Sequence, residues 1–222
     1  MEANKIASAI QSFPGMPGTA VKLLGLIDDP AMRVSQIEEI LRHDPGLTAN
    51  VLRLANSAYF GIPSKVGSIR QAVILLGLKR LIQMVIAACV SAIMDKSVPG
   101  YDLPPGELWR HSIAASVAAE GLVKVLKVEA TEEIFTAALL HDVGKLILGD
   151  FVKDEFKQIE TAVSQGISFE MAEKIVLGAN HAEVGARILT KWLLPPEIVN
   201  AVQFHHAPEA SEQLSSMLDI VH

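Results

Sequence analysis

Residues 135–148 read FTAALLHDVGKLIL. The first half of the stretch is an apolar, buried-looking run with no strand alternation, and it reads as a helix. It ends on His141 and Asp142, two adjacent groups that are expensive to bury, with Lys145 four residues after the histidine. Two explanations fit such an ending. A helix can surface there and satisfy its polar residues locally, or the histidine and aspartate can hold a metal ion. The choice turns on whether the rest of the chain supplies further ligands.

The setting narrows the question. The chain has 222 residues, enough for one large or two small domains with a proper core. Half of the residues are hydrophobic, a fifth are charged and only 5% are aromatic, so Leu, Ile, Val and Ala must fill the interior. The net charge of −6 argues against a dedicated nucleic-acid binder, which carries a basic face. Cys89 is the only cysteine, so neither a disulfide framework nor a cysteine-rich zinc site is available, and its apolar surroundings make it a small buried hydrophobe. The N-terminal stretch MEANKIASAI carries an acid and lacks the apolar core of a signal peptide. The most apolar run, LIQMVIAACVSAIM (81–94), is shorter than the about twenty residues of a membrane span and reads as a buried helix. The expectation is a soluble cytoplasmic protein with neither nucleic acid nor membrane as partner.

Working outward, helix follows helix. TAVKLLGLI (19–27) puts Val21, Leu24 and Ile27 on one face, and Asp28-Asp29-Pro30 stops it. VSQIEEILRH (34–43) carries Ser35 with Glu38 three places on, a capping-box pattern. Asp44 reads as the N-cap of the next helix, with Pro45 at its first position and Leu47, Val51, Leu54 and Ala55 on its packed stripe. Further helices are predicted over 68–77, 79–95, 105–127, 131–148, 151–164, 168–177, 181–192, 196–206 and 212–222. The fold class expected is all-α. The segment DKSVPGYDLPPGE (95–107), with three prolines and two glycines, is the obvious break. It divides an N-terminal helical lobe, 1–95, from a second lobe, 96–222.

Five of the seven histidines fall at structured positions of that second lobe: His111, His141, His181, His205 and His206. His111 follows Glu107 by four residues, so both project from one helix face. Lys145 lies one turn beyond His141 and would point at a bound anion. His181 follows Asn180, which with Glu183 resembles an N-cap and its reciprocal partner, and the positive helix end there favours the neutral imidazole that a metal needs. His205 and His206 close a helix opened by Pro195-Pro196. Several His-bearing helix ends could therefore meet at one centre. Spacing alone leaves both a metal site and a set of locally satisfied histidines open.

The motifs add a resemblance. FTAALLHDVGKLIL, with LWRHSIAAS (108–116) before it and NHAEVGARILTKWLLPPEIVNAVQFHH (180–206) after it, resembles the HD phosphohydrolase superfamily. FPGMPGTAVKLLGLIDDP (13–30), LRHDPGLTANVLRLANSAYFG (41–61) and IRQAVILLGLKRL (69–81) are similar to the opening segments of its HDOD branch, the HD-related output domains of bacterial signalling. The resemblance spans about residues 13–206 and implies an all-α fold whose second lobe is HD-like.

It also implies a ligand set. HD enzymes hold one or two divalent or iron-type ions, such as iron, manganese or zinc, which activate a water against a phosphoester. By motif position His111, His141, Asp142, His181, His205 and His206 match ligands of the metal-rich HD-GYP branch, and Glu107 matches its upstream acid. Were the protein an enzyme, Lys145 and Asp142 would be its catalytic residues. The resemblance to HDOD proteins instead implies a regulatory module that works through contacts with signalling proteins. The alternative is a metal-dependent phosphohydrolase acting on a nucleotide or another phosphoester. After His206 the chain reads APEASEQL, without the Glu-x-x-Asp-Gly and Gly-Tyr-Pro elements of HD-GYP proteins. A late Asp ligand is also implied. Asp219 is a candidate, but the usual context places that ligand after His222, so either the chain is truncated within the helix expected to carry it or the site is incomplete.

The remaining small motifs read as packing. Asn56 and Ser57 are expected to tie off helix carbonyls, Trp109 and Trp192 to fill seams between helices, and KDEFKQIE (153–160) to form a solvated helix face.

Overall fold

The computed structural model of the chain describes residues 2–24, 33–62, 64–128, 133–213 and 215–222. The expected stop at Asp28-Asp29-Pro30, Ile27 on its stripe and the first residues of the helix expected over 131–148 lie outside them. Among the described residues all regular structure is helical, apart from a single isolated β-bridge between Val98 and Leu103. The helices are α1 (Glu2–Ser12), α2 (Gly18–Leu24), α3 (Val34–Arg42), α4 (Pro45–Ala55), α5 (Ile69–Leu76), α6 (Leu78–Met94), α7 (Glu107–Leu126), α8 (Ile134–Leu140), α9 (Lys145–Asp154), α10 (Phe156–Ser164), α11 (Phe169–Leu177), α12 (His181–Lys191), α13 (Pro196–Phe204) and α14 (Ser216–Val221).

The chain divides into two compact units, Met16–Ile93 and Met1–Gly15 with Met94–His222. The first fifteen residues, read from sequence as part of the opening lobe, thus go with the second unit. The side chain of Lys191 on α12 holds them there. Its ammonium donates to the carbonyls of Ile10, Gln11 and Phe13 at 3.1, 2.6 and 2.7 Å, at and just past the end of α1. Beside it the Trp192 indole donates to the Pro14 carbonyl at 2.9 Å and packs near the Phe13 ring.

In the smaller unit, local capping sets the helix starts. Asp44 accepts from the Leu47 amide at 2.9 Å, and Pro45 opens α4 as the sequence indicates. Helix α3 begins two residues earlier than the Ser35 pattern suggests. It starts at Val34, where the Gln36 side chain accepts from the Arg33 amide, so Gln36 takes the part expected of Glu38. Glu38 instead forms a two-pronged ion pair with Arg70. Asn56 and Ser57 do tie off helix ends: Asn56 donates to the Leu52 and Val66 carbonyls and accepts from the Val66 amide, while Ser57 donates to the Leu54 carbonyl. Helix α6 is buried all round over residues 81–90. Burial, then the charge of Asp44, pushes the Cys89 thiol up to about 12, which leaves it protonated and unreactive. No helix of the described residues is long and apolar enough to cross a membrane.

In the larger unit α8 is the central element. All seven of its residues, Ile134–Leu140, are buried, and it packs against α7, α13 and α14. Full burial of each large apolar side chain there contributes about 1.5–3 kcal/mol. The single helix expected over 131–148 is interrupted. Residues 141–144 form a tight turn in which the Val143 amide bonds the Leu140 carbonyl and the Lys145 amide bonds that of Asp142, each three residues back. The chain then resumes as α9, which ends at Asp154. Gly144 explains the turn's position: a Cβ there would lie 1.9 Å from the His181 carbonyl oxygen and 2.7 Å from the Gly185 amide nitrogen. Only glycine lets the start of α9 lie directly on the start of α12.

Candidate metal centre

That close approach brings the histidine-bearing ends together within the larger unit. His141 and Asp142 stand on the turn between α8 and α9, His111 on the first turns of α7, His181 at the first position of α12, and His205 and His206 just past α13. Asn180 caps α12 as the sequence predicts, accepting from the Glu183 amide at 2.9 Å while the Glu183 carboxylate reaches back to the Asn180 amide.

The groups form two triads, His111–His141–Asp142 and His181–His205–His206, each with one potential ligand atom per residue within 4.8 Å of the others. Asp142, 2% exposed, lies between them and addresses each with a different oxygen. Its Oδ2 is 3.4 Å from Nε2 of His111 and of His141, and its Oδ1 is 3.4 Å from Nε2 of His181. Across the second triad Nε2 of His181 is 2.8 Å from Nε2 of His206, and the rings of His205 and His206 are 4.0 Å apart. Asp142, His181 and His205 form a buried floor, while His111 and His206 are exposed at the rim.

The three inner histidines share one orientation. Nδ1 of His141 is 2.7 Å from the Ala138 carbonyl, Nδ1 of His205 is 2.7 Å from the Val202 carbonyl, and Nδ1 of His181 is 2.8 Å from Glu173 Oε2. Carbonyl and carboxylate oxygens only accept, so each Nδ1 carries the proton and each Nε2 is turned inward. Nε2 of His205 is buried with no hydrogen-bond partner among the described residues. A buried ring nitrogen without a partner calls for an explanation, and a metal ion supplies one.

The electrostatics follow from this crowding. Burial lowers the affinity of His205 for a proton, and neighbouring His141 and His206 lower it further, to a pKa of about 2. His206 is also lowered, by burial and then by His181. Burial works against charge on Asp142 too, but hydrogen bonds from His111 and His141 and the charges of His141 and Lys145 outweigh it, holding the carboxyl well below its ordinary range. For His141, burial is outweighed by the Asp142 carboxylate and the Ala138 carbonyl, and its pKa is raised. The floor thus combines an ionised carboxylate with a neutral imidazole, His205, the forms that bind metals.

Lys145 does not project freely: its ammonium donates to Asp142 Oδ2 at 2.7 Å and lies 5.4 Å from the centre of the Tyr101 ring. Glu107 is not brought in. Its carboxylate bonds Arg110 one turn along α7, and it belongs to neither triad. Asp219, on α14, is exposed and likewise outside both. Two residues with a direct part in the site escaped the sequence reading. Glu173, fully buried on α11, carries His181, and Tyr101, in the proline-rich break, donates its hydroxyl to Glu173 Oε1. Glu173 had a signal: four residues from both Phe169 and Leu177, it is a carboxylate placed on the packed side of its helix.

Comparison with known proteins shows the family and the fold. The family model for the HDOD domain matches residues 13–208. The crystal structure of an HDOD domain protein of unknown function from Geobacter sulfurreducens superposes with a TM-score of 0.82 at 28% identity, covering 99% of this chain and 74% of that one. A candidate phosphohydrolase from Shewanella amazonensis SB2B superposes with a TM-score of 0.80 at 31% identity, over 97% of this chain and 77% of its own. An uncharacterized protein of Treponema pallidum (strain Nichols) is 26% identical over 222 residues, 99% of this chain, which spans 42% of that relative's length.

Proposed function

The chain belongs to the HDOD family, and on that premise we propose that it is a regulatory module of bacterial signal transduction, acting in the cytoplasm through contacts with signalling proteins and built around a retained metal site. His111, His141, Asp142, His181, His205 and His206 would hold one or two ions. Five imidazoles and a carboxylate suit iron, manganese or zinc rather than magnesium or calcium, which prefer oxygen. The observation that carries the metal reading is the buried, partnerless Nε2 of His205, turned toward a group of inward-facing Nε2 atoms.

Charge favours a module over a hydrolase. Asp142 is the single carboxylate of the two triads, with Glu107 engaged by Arg110 and Asp219 exposed. Two divalent ions would be balanced by one negative side chain, and Lys145 already competes for that carboxylate. A bound ion in such a site supplies a Lewis acid that can polarise an oxygen and acidify a water. The second reading, hydrolysis of a nucleotide or other phosphoester, draws on Lys145, whose ammonium beside Asp142 could meet a phosphate oxygen.

Elemental analysis of protein purified without chelator, with turnover measured on a panel of phosphoesters, tests both. We expect bound transition metal and no turnover, and sharply reduced metal in Asp142→Asn with the fold retained. Absence of metal, with no rise in melting temperature on adding it, would refute the metal site. Metal-dependent turnover in the wild type that disappears in Asp142→Asn would establish the hydrolase instead.

A further inference from the structure

We infer that Glu173, backed by Tyr101, is a positioning residue that fixes the tautomer and direction of the His181 ring, so that Nε2 is presented to the centre as a ligand. The inference rests on the metal site proposed above and names the device that orders one of its ligands.

Glu173 is fully buried, and its two oxygens meet three donors. Oε2 accepts both from the His181 backbone amide at 2.9 Å and from His181 Nδ1 at 2.8 Å, while Oε1 accepts the Tyr101 hydroxyl. Gripping the amide and the ring of one residue through a single oxygen removes the ring's freedom to turn. It also satisfies an amide of the first turn of α12, which has no partner within its own helix. With the proton on Nδ1, Nε2 is the lone-pair end, and it faces Asp142 Oδ1 and His206 Nε2.

Tyr101 is positioned with equal care. Its short helical turn, Pro99–Tyr101, is closed by the Val98–Leu103 bridge and lies against α9. A Cβ on Gly100 would come within 2.1 Å of the Gly149 carbonyl oxygen, so the turn can sit this deep only because that residue is glycine. The Tyr101 ring meets the His181 ring edge-on, with centroids 6.1 Å apart. Burial and then Glu173 raise its pKa, so the hydroxyl stays a donor. A carboxylate behind a ligating imidazole both orients the ring and raises its basicity, and loss of such a partner weakens metal affinity by about 10–100-fold.

Long-range proton–nitrogen spectra of the full chain, stripped of metal and held near pH 8, report the His181 tautomer directly. Calorimetric titration with zinc and manganese reports affinity. The expected results are an Nδ1–H tautomer in the wild type, a mixture of tautomers in Glu173→Leu, zinc affinity reduced about 10–100-fold in Glu173→Gln, and a smaller loss in Tyr101→Phe. A wild-type His181 protonated on Nε2 overturns the inference without recourse to any variant. So does zinc uptake by Glu173→Gln equal to that of the wild type, which would reduce Glu173 to a helix cap. Failure of the wild type to take up either metal is a different result: it overturns the metal reading beneath.

Discussion

Gly144→Ala probes the contact on which the centre depends. Gly144 has φ −63° and ψ −24°, values any residue adopts, so alanine meets no backbone strain there. The whole penalty is contact. The new Cβ would lie 1.9 Å from the His181 carbonyl oxygen, 2.9 Å from the His181 carbonyl carbon and 2.7 Å from the Gly185 amide nitrogen. All are backbone atoms, with no flexible side-chain end to move aside. Ordinary contact needs about 1.5 Å more separation, which must come from moving α9 away from α12. Overpacking of this kind costs about 1–3 kcal/mol, and the rigid partners put it at the top of that range. For a chain of this size, about 3 kcal/mol corresponds to a fall in melting temperature of roughly 6–12 °C. The shift also separates Asp142 from His181, whereas metal–ligand distances tolerate only about 0.2 Å, so metal affinity should fall by at least about 100-fold. Thermal melts by circular dichroism and a zinc titration provide the assay. Gly121→Ala is the control: it lies inside α7 with nothing within 4 Å of its would-be Cβ, and alanine there should stabilise by about 0.4–1 kcal/mol. A Gly144→Ala protein that melts within about 2 °C of the wild type and binds zinc equally well would refute the reasoning.

Two further outcomes follow from other parts of the larger unit. Folded His205 refuses a proton until about pH 2, whereas the unfolded residue accepts one near 6.5. Metal-stripped protein should therefore lose stability as pH falls below about 6.5, by about 1.4 kcal/mol per pH unit from this group. His141, raised in the fold, contributes fully below 6.5 and loses that contribution only as pH rises through its folded value, so it does not mask the acid limb. Urea midpoints between pH 5 and 7 measure the slope, and a flat profile would rule the account out. Lys191→Met removes three hydrogen bonds to the end of α1; because Lys191 is largely exposed, the cost should be modest, about 1–2 kcal/mol. Hydrogen exchange should show amides of residues 2–12 losing protection ahead of the rest of the unit, and unchanged protection there would show that the lysine does not hold the helix.

What the sequence disclosed and what it withheld divide along the range of the interactions concerned. Asp44 with Pro45, and Asn180 with Glu183, act within one helical turn, so their residue types suffice to place them. Ser35 and Gln36 show the limit: both can serve a helix start, and the observed start at Val34 uses Gln36. The interruption at 141–144 is marked by neither a proline nor a positive φ. The backbone stays near helical values while its hydrogen bonds shorten to three residues, and the glycine that sets the position acts through α12, some forty residues away. The clustered histidines were legible as a set through their motifs, whereas Tyr101 was not. It meets Glu173 across 72 residues, from a segment whose prolines announce only a break.

The geometry also weighs against the plainer explanation of the opening stretch. Histidines that merely end helices at a surface would find water or local carbonyls for both ring nitrogens. Here three inner rings each spend Nδ1 on a protein acceptor and turn Nε2 toward other imidazoles. Such a group cannot be protonated throughout, because each added charge opposes the next, and burial leaves His205 neutral. Asp142 can offset one positive charge and already meets three Nε2 atoms and an ammonium. Helix packing alone would be served as well by apolar residues at these positions, without the cost of burying a carboxylate and a partnerless ring nitrogen. A polar cluster of this kind, oriented inward with a rim open at His111 and His206, has the physical character of a binding site, and its nitrogen-rich donor set favours a transition-metal ion.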